Sequence, residues 1–256
     1  MKKIVIKLGT GILSAGRGNI RTDRMEEWAK SIATLSAQGV ETIIVSSGAV
    51  GLGMGKLGIE ERPKDLSLLR ACASIGQCLL MNAWSQSLEK AGLIASQVLL
   101  TREDFESRKR SQKVEETLCT LLKQKVVPVV NENDSVSDEE IKFGDNDILS
   151  ALLASIGKAD FLIILSTATG LMTHPTSGTL IPFVAEITPS IEAMAKGTHS
   201  ATAVGGMVTK IEAAKIACGS GCAVFIGSGE QPAELSSIIN GRNVQGTFFA
   251  PTGLEL

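Results

Sequence analysis

The chain has 256 residues, a formal net charge of −2 and an apolar fraction of 44%. These values are typical of a globular chain with a substantial core and exclude a disordered or fibrous protein. The near-zero charge and the absence of tyrosine give no reason to expect nucleic acid as a partner. The longest apolar runs, such as Phe161–Leu165, are far shorter than the roughly 20 residues that span a bilayer.

The cysteines predict a reducing environment, because they are odd in number and their neighbours are apolar. Such cysteines are typical of buried free thiols in the cytoplasm. The spacing of Cys218 and Cys222 would also suit a metal pair, but two histidines and no second cysteine pair nearby make a metal site a poor interpretation. Lys7 and the glycines after it interrupt the only segment that resembles a signal peptide. The five cysteines are Cys72, Cys78, Cys119, Cys218 and Cys222.

Apolar, strand-like runs alternate along the chain with amphipathic segments of helical length. The predicted strands are Lys3–Leu8, Glu41–Ser46, Leu93–Leu100, Val126–Val130, Asp160–Ser166 and Cys222–Ile226. The predicted helices are Thr22–Ala37, Leu66–Ala91, Ser107–Gln124, Asp147–Ile156, Thr209–Ala217 and Pro232–Ile239. Strands that are apolar throughout and separated by helices indicate a mainly parallel sheet covered on both faces, which is an αβα sandwich of the α/β class. We expect one domain, with Thr22 capping the first helix and an irregular hairpin at Leu171–Ala185.

The first candidate motif is the end of the first strand, where Lys7 precedes the turn Gly9–Gly11. A lysine in a buried strand requires a partner, and an anionic phosphate held by the amides of the turn is one. The alternative is a lysine on an edge strand that points to solvent.

The second strand also runs into small residues, Ser46–Gly48, as expected where a chain approaches a ligand closely. An ordinary strand-to-helix turn explains this segment equally well. Gly53–Gly58 formally matches G-x-G-x-x-G, but it does not directly follow the strand and Pro63 interrupts the helix expected after it. We therefore expect no dinucleotide site there.

The densest cluster of polar residues follows the strand Val126–Val130. Asn131–Asp134 ends that strand, and Phe143–Asp147 leads into the next helix. Polar groups at the carboxyl end of a buried strand lie where open α/β sheets bind ligands. Turns and helix caps account for one or two such residues, but not for so many amides and carboxylates in so short a segment.

The last motif is the start of a helix, where Gly205 and Gly206 precede Thr209 and Lys210. Unpaired N–H groups and the helix dipole attract phosphate at such a terminus, and Lys210 in the first turn can reach the same anion. The P-loop order of residues is absent. The alternative is a surface lysine on a helix.

Taken together and in this order, these segments resemble the amino-acid kinase superfamily, and most closely its glutamate 5-kinase family. They are the segments around Lys7, Ser47, Asn131–Asp134, Phe143–Asp147 and Gly205–Lys210. The resemblance implies an αβα fold with an open, mainly parallel sheet of about eight strands. It implies transfer of the γ-phosphoryl group of ATP, with Mg²⁺, to the γ-carboxylate of L-glutamate, which is the first step of proline biosynthesis.

The resemblance also implies residue roles. Lys7 and Lys210 would neutralise the transferring group, and Asp147 would hold both lysines in place. Ser47, Asp134 and Asn146 match glutamate-binding positions, where an aspartate near the substrate ammonium and an asparagine near its carboxylate are chemically sensible. No dedicated metal site is expected. The ATP-binding positions would be Lys7, Gly9, Thr10, Ser166, Thr167, Val204, Gly205, Gly206, Met207, Val208, Thr209 and Lys210.

One part of the chain departs from the family pattern T-D-x-x-G-L-Y-x-x-D-P. Thr167 replaces the first aspartate, Met172 the aromatic residue and His174 the second aspartate, and Ala203–Gly206 replaces G-T-G-G. Both segments belong to the nucleotide side of the family's site. We therefore expect altered nucleotide affinity or base preference.

Several expectations and two alternatives accompany this interpretation. Many family members carry a further C-terminal PUA domain, whereas residues 1–256 are expected to form a kinase domain without one. The family also implies a homo-oligomer, as a dimer or tetramer, and feedback inhibition by proline. The alternatives are a non-catalytic amino-acid-binding protein with a degraded nucleotide site and a related kinase with another acceptor.

Overall fold

A computed structural model describes residues 2–16, 18–137, 146–174, 178–196, 206–230, 235–242 and 244–253. Eight strands form a single sheet in the order β3-β4-β2-β1-β5-β7-β8-β6, and every neighbouring pair is parallel except β7 and β8. The strands are β1 Lys3–Leu8, β2 Glu41–Ser46, β3 Ile94–Leu100, β4 Val126–Glu132, β5 Phe161–Ser166, β6 Phe183–Val184, β7 Ala223–Ser228 and β8 Gly246–Phe249.

Ten helices occur in the described part of the chain, and the larger ones cover both faces of the sheet. They are α1 Thr10–Leu13, α2 Thr22–Ala37, α3 Ala49–Lys56, α4 Leu66–Lys90, α5 Glu103–Glu106, α6 Arg108–Lys123, α7 Asn146–Ile156, α8 Pro189–Ala195, α9 Met207–Gly219 and α10 Leu235–Ile239. The predicted αβα architecture is therefore confirmed. All six predicted strands and five of the six predicted helices agree within about two residues, the usual uncertainty of element ends. The start of the sixth predicted helix lies outside the described residues.

The two layers of core follow from the alternation of side chains along the strands. On β1, Val5 faces a cluster formed with α6, α7 and α9, whereas Ile4 and Ile6 face a second cluster formed with α2 and α4. Successive side chains of a strand point to opposite faces, so Lys7 lies on the same face as Val5. The sequence of β1 thus directs Lys7 toward the layer that contains α7 and α9.

The order of the strands places a ligand-binding edge at the carboxyl end of β1. The chain adds β2, β4 and β3 on one side of β1 and then β5, β7, β8 and β6 on the other. The order of the strands therefore reverses at β1. Where the strand order reverses, a crevice opens outside the carboxyl ends of the strands, and open α/β sheets bind ligands in this crevice. The polar ends of β1, β2, β4 and β5 all lie at this edge.

Glycines allow α3 and α4 to cross at very short range. A Cβ atom on Gly76 would lie 1.7 Å from the backbone oxygen of Ala49, and one on Gly53 would lie 1.8 Å from that of Cys72. Gly53 is the first glycine of the segment that formally matches G-x-G-x-x-G. Its close approach to α4 gives that glycine a packing role.

Two local predictions were wrong. Thr22 does not cap α2, because the helix begins at Thr22 and Arg21 occupies the cap position without a side-chain bond. The cysteines are free, but Cys78 is exposed and Cys119 is half-buried. Burial does raise the pKa of the Cys218 and Cys222 thiols to about 12.

The segment predicted as an irregular hairpin contains a bridge between Met172 and Leu180 and then the short strand β6. Its residues 175–177 lie outside the described part of the chain. Buried Thr247 joins this segment to β8, because its hydroxyl donates to the Ile181 carbonyl oxygen and accepts from the Leu171 amide.

Within the described ranges, α4 alone has the length and the apolar composition of a membrane span. It packs against α3 and α2. Its side chains also bond to the ends of β2 and β4 and to Ser137 beyond β4. These contacts place α4 within the domain, as a long helix of its core.

Candidate active site

Two lysines and one aspartate from three distant parts of the chain meet above the carboxyl end of β1. The Nζ atom of Lys7 lies 2.6 Å from Oδ1 of Asp147, and the Nζ atom of Lys210 lies 3.0 Å from Oδ2 of the same carboxylate. Asp147 is in the first turn of α7, and Lys210 is in the first turn of α9. All three side chains are almost completely buried: the exposed fraction is 4% for Lys7, 0% for Asp147 and 6% for Lys210.

The folding of each element explains how these charges are brought together. Lys7 belongs to a central strand, so the alternative of a solvent-facing lysine on an edge strand is wrong. Helices α7 and α9 pack against each other on the β1 face to which Lys7 points. The surface-lysine alternative for Lys210 is also wrong, because only 5% of this residue is exposed.

Neighbouring hydroxyl groups lie against the aspartate. Thr209 Oγ1 is 3.3 Å from Oδ2 of Asp147 and 3.0 Å from the Gly206 backbone oxygen, and Ser150 donates to the Asp147 backbone oxygen at 2.6 Å. Buried ions are costly unless they are paired and hydrogen-bonded. Two ammonium groups thus meet one carboxylate at the carboxyl end of β1, an arrangement that suits an anionic ligand.

A second polar group lies at the ends of β2 and β4. The side-chain nitrogen of Asn146 donates to Ser47 Oγ at 2.7 Å and to Asn131 Oδ1 at 2.9 Å. Asn131 is 3% exposed and donates in turn to Gln77 Oε1 at 2.9 Å. Asn146 directly precedes Asp147, so this network adjoins the lysine pair.

Asp134 follows β4 in a turn and is half-buried. It lines a small cleft together with Gln77, Glu132 and Asn133. Gln77 therefore borders the cleft and also belongs to the hydrogen-bond network of Ser47 and Asn146. The structure thus brings Ser47 and Asn146 into direct contact, and it connects the cleft of Asp134 to them through Gln77 and Asn131.

The predicted nucleotide residues collect on the other side of Lys7, at the ends of β1 and β5. The backbone amide of Gly9 donates to the Leu165 backbone oxygen at 3.0 Å. A Cβ atom placed on Gly9 would lie 3.7 Å from the Ser166 Cβ and 3.8 Å from Lys7 Nζ. Thr10 and Thr167 are exposed. The side chains are short, so backbone groups dominate this surface.

The remaining nucleotide positions lie at the start of α9. Gly206 is its cap residue and Met207 is buried, whereas Val208 is 48% exposed. Val204 and Gly205 lie outside the described residues, as do residues 143–145 of the segment before α7.

Sequence reasoning missed Gln77 as a member of this site. Gln77 lies in the middle of α4, 54 positions before Asn131, and carries no local signal of function. Asn131 belongs to the polar cluster that begins at the end of β4, but was not among the predicted site residues. The position of Asn131 at the end of a buried strand was the one available signal.

Comparison with known proteins identifies the class. Residues 2–228 match the model of the amino acid kinase family. The chain belongs to this family. Carbamate kinase from Giardia lamblia, solved with AMP-PNP bound, superposes with a TM-score of 0.68 at 17% identity and covers 97% of this chain and 98% of its own. At this identity, the likeness establishes the shared fold.

Relatives identified by sequence similarity narrow the comparison from the family to one kind of kinase. Glutamate 5-kinase of Moorella thermoacetica is 43% identical over 98% of this chain, which spans 67% of that protein's length. Glutamate 5-kinase of Clostridium acetobutylicum is 42% identical over 98% of this chain, which spans 95% of that protein. The resemblance derived from the motifs is therefore confirmed.

Proposed function

We propose that this chain is a glutamate 5-kinase, which transfers the γ-phosphoryl group of ATP to the γ-carboxylate of L-glutamate and forms γ-glutamyl phosphate. The observation that carries the proposal is the buried arrangement of Lys7, Asp147 and Lys210 beside the polar network of Ser47 and Asn146. The names of the relatives support the same reaction. The comparisons give no support to the alternative of a non-catalytic binding protein.

The reaction requires alignment and charge stabilisation more than proton transfer. The γ-carboxylate has a reference pKa of about 4.3, so it is ionised at neutral pH and attacks without a general base. Negative charge on the transferring phosphoryl group is stabilised by fixed positive groups, and correct positioning supplies much of the remaining rate enhancement. Lys7 and Lys210 are the proposed positive groups in this chain.

Asp147 is proposed to orient the two lysines. Each of its carboxylate oxygens holds one ammonium group, so the two amines are kept close to each other. A preorganised pair of cations loses little free energy to reorganisation when the transition state forms. Asp147 thus keeps two like charges close together in the absence of ligand.

Ser47, Asp134 and Asn146 are proposed to bind L-glutamate. Asp134 supplies a carboxylate for the substrate ammonium, and Ser47 and Asn146 supply neutral polar groups. Their position beside Asp147 would put the γ-carboxylate close to the lysine pair. The small residues Gly9, Thr10, Ser166 and Thr167 leave room for the nucleotide on the opposite side.

Mg²⁺ is expected to enter with the nucleotide. In the described ranges, no three histidine, cysteine, aspartate or glutamate side chains cluster as a metal site. At kinase sites Mg²⁺ is usually held by one or two carboxylates together with phosphate oxygens and water. When bound, it would neutralise phosphate charge, and the chain's own lysines would provide the remaining positive charge.

The other expectations remain predictions. A homo-oligomer, proline inhibition, altered nucleotide preference and a cytoplasmic location all derive from the resemblance or from the composition. The free cysteines are compatible with a reducing compartment.

The test is product formation by the purified chain with Mg-ATP and hydroxylamine, which traps an acyl phosphate as a hydroxamate. The proposal predicts ADP and hydroxamate in equal amounts, both dependent on L-glutamate. N-acetylglutamate, aspartate and carbamate serve as competing acceptors. Hydroxamate formed from N-acetylglutamate or aspartate, or hydroxyurea formed from carbamate, with no product from glutamate, would show a related kinase with another acceptor.

A further inference from the structure

The orientation of the Asn146 side chain is set by a chain of hydrogen bonds that begins at a backbone amide. The N–H of Glu132 donates to the side-chain oxygen of Asn131 at 2.9 Å. A backbone amide can only donate, so the atom that it meets must be the oxygen of Asn131. This contact identifies which of the two terminal atoms of the Asn131 amide is the oxygen and which is the nitrogen.

The remaining orientations follow from the first. Because Asn131 presents its oxygen to Asn146, the Asn146 atom at 2.9 Å must be the amide nitrogen. Because the nitrogen of Asn131 points the other way, the Gln77 atom at 2.9 Å must be the oxygen. Gln77 thus accepts the hydrogen bond from the Asn131 nitrogen and acts together with the Glu132 amide and the Ser46 backbone oxygen, which lies 3.5 Å from the Asn146 nitrogen, to keep Asn131 and Asn146 in one orientation.

The result is a buried acceptor beside the predicted substrate site. The Asn146 oxygen is inaccessible to solvent and has no hydrogen-bond partner among the described residues. Leaving such an oxygen without a donor costs about 1–3 kcal/mol, so buried polar atoms usually meet a partner or a ligand. At neutral pH the two carboxylates of glutamate only accept hydrogen bonds, and its ammonium group only donates them. The ammonium group is therefore the part of the substrate that can pair with the Asn146 oxygen.

Helix α4 contacts Ser135 and Ser137, which follow β4, through side chains on one face. Arg70 donates to the Ser137 backbone oxygen at 3.0 Å, and the hydroxyl groups of Ser74 and Ser135 lie 2.8 Å apart. Gln77 is three residues after Ser74, on the same helical face. The contact from Gln77 is therefore part of a firm connection between α4 and this edge of the sheet.

We propose that Gln77 is a positioning residue for substrate recognition: through Asn131 it turns the Asn146 oxygen toward the ammonium group of the bound amino acid. This inference rests on the proposed function. It reverses the expectation that Asn146 lies near the substrate carboxylate. Gln77 itself makes no contact with the reacting atoms, and its effect is confined to the affinity for the amino acid.

The experiment compares Gln77→Met, which has the same length but no acceptor, with Gln77→Glu, which keeps an acceptor oxygen. Gln86→Met is the matched control, because Gln86 lies on the same helix, is exposed and reaches only Asn82 at 3.5 Å. Thermal melting, the KM values for glutamate and ATP, and the calorimetric Kd of L-glutamate are measured for each.

For Gln77→Met we expect the glutamate KM and Kd to rise about tenfold, the size of one lost hydrogen bond, with kcat and the ATP KM unchanged. Gln77→Glu should stay within about threefold of the wild type, and Gln86→Met should equal it. Glutarate, which lacks the ammonium group, should lose no affinity in Gln77→Met when measured as a competitor.

The contrary results are distinct. An unchanged glutamate KM in Gln77→Met, or an equal loss in Gln77→Glu, would overturn the positioning role. Equal weakening of glutarate would overturn the assignment of the Asn146 oxygen to the ammonium group. A wild-type chain that binds glutamate but forms no hydroxamate would refute the proposed function and leave the Kd comparison as the test of Gln77.

Discussion

Replacing Asp147 with asparagine should lower the melting temperature of the chain, and ATP should restore part of this loss. The substitution removes the carboxylate that pairs with Lys7 at 2.6 Å and Lys210 at 3.0 Å, and leaves two buried ammonium groups side by side. Removing one partner of a buried ion pair costs about 3–5 kcal/mol. For a chain of this size, each kcal/mol lowers the Tm by about 2–4 °C, so a fall of about 10 °C is expected.

The response to nucleotide distinguishes this mechanism from a simple packing defect. The substitution raises the net charge of the three-residue group from one positive charge to two, which favours a polyanion. ATP should therefore raise the Tm of Asp147→Asn more than it raises that of the wild type, since a ligand stabilises the state that it binds. Turnover should fall about a hundredfold, because the lysines are no longer held in place.

The assay is thermal melting with and without Mg-ATP, followed by hydroxamate formation at saturating substrates. Asp160→Asn is the control, since Asp160 is exposed and accepts a hydrogen bond from the Lys3 amide far from the site. A melting temperature unchanged in Asp147→Asn, or an ATP response no larger than that of the wild type, would refute the role of Asp147 as a counter-charge.

Two further predictions concern the core. Burial raises the pKa of the Cys218 and Cys222 thiols to about 12, so at pH 8 they stay protonated and should resist a thiol reagent that modifies exposed Cys78 rapidly. Mass spectrometry after brief labelling checks this, and labelling of Cys218 as fast as Cys78 in the folded chain would contradict it. Gly76→Ala should cost about 3 kcal/mol of unfolding free energy in denaturant titration, because its Cβ would lie 1.7 Å from a backbone oxygen of α3. Gly51→Ala, whose Cβ would meet nothing within 4 Å, should be neutral or stabilising, and equal effects of the two would contradict the close crossing.

The architecture was predictable from the sequence because the buried strands are apolar throughout and the helices are amphipathic. The strand Lys3–Leu8 and the helix Thr22–Ala37 were placed with the bounds that the structure has. The short strands β6 and β8 were missed, because two and four residues carry too little periodicity to be recognised. The first helical residue, Thr22, was mistaken for a cap because threonine is a favoured N-cap residue, whereas the structure has Arg21 at that position.

The site was only partly predictable, because its geometry depends on contacts between distant parts of the chain. Lys7 was recognisable as a buried cation that needs a partner, and Lys210 as a cation at a helix start. Their common partner, Asp147, came from the family resemblance, since nothing local in the sequence links these three positions. Gln77 was unpredictable, because its function depends on the packing of α4 against β4.

The most direct test of the central claim compares the wild type with Lys210→Met in the hydroxamate assay. Methionine keeps the length and apolar stem of the side chain but removes the charge that lies 3.0 Å from Asp147. Lys215→Met is the control, because Lys215 lies on the same helix and forms an exposed ion pair with Glu192 at 2.6 Å. We predict glutamate-dependent hydroxamate from the wild type and Lys215→Met, and a rate at least about a hundredfold lower from folded Lys210→Met. A near-normal rate in Lys210→Met would contradict phosphoryl transfer at this lysine pair.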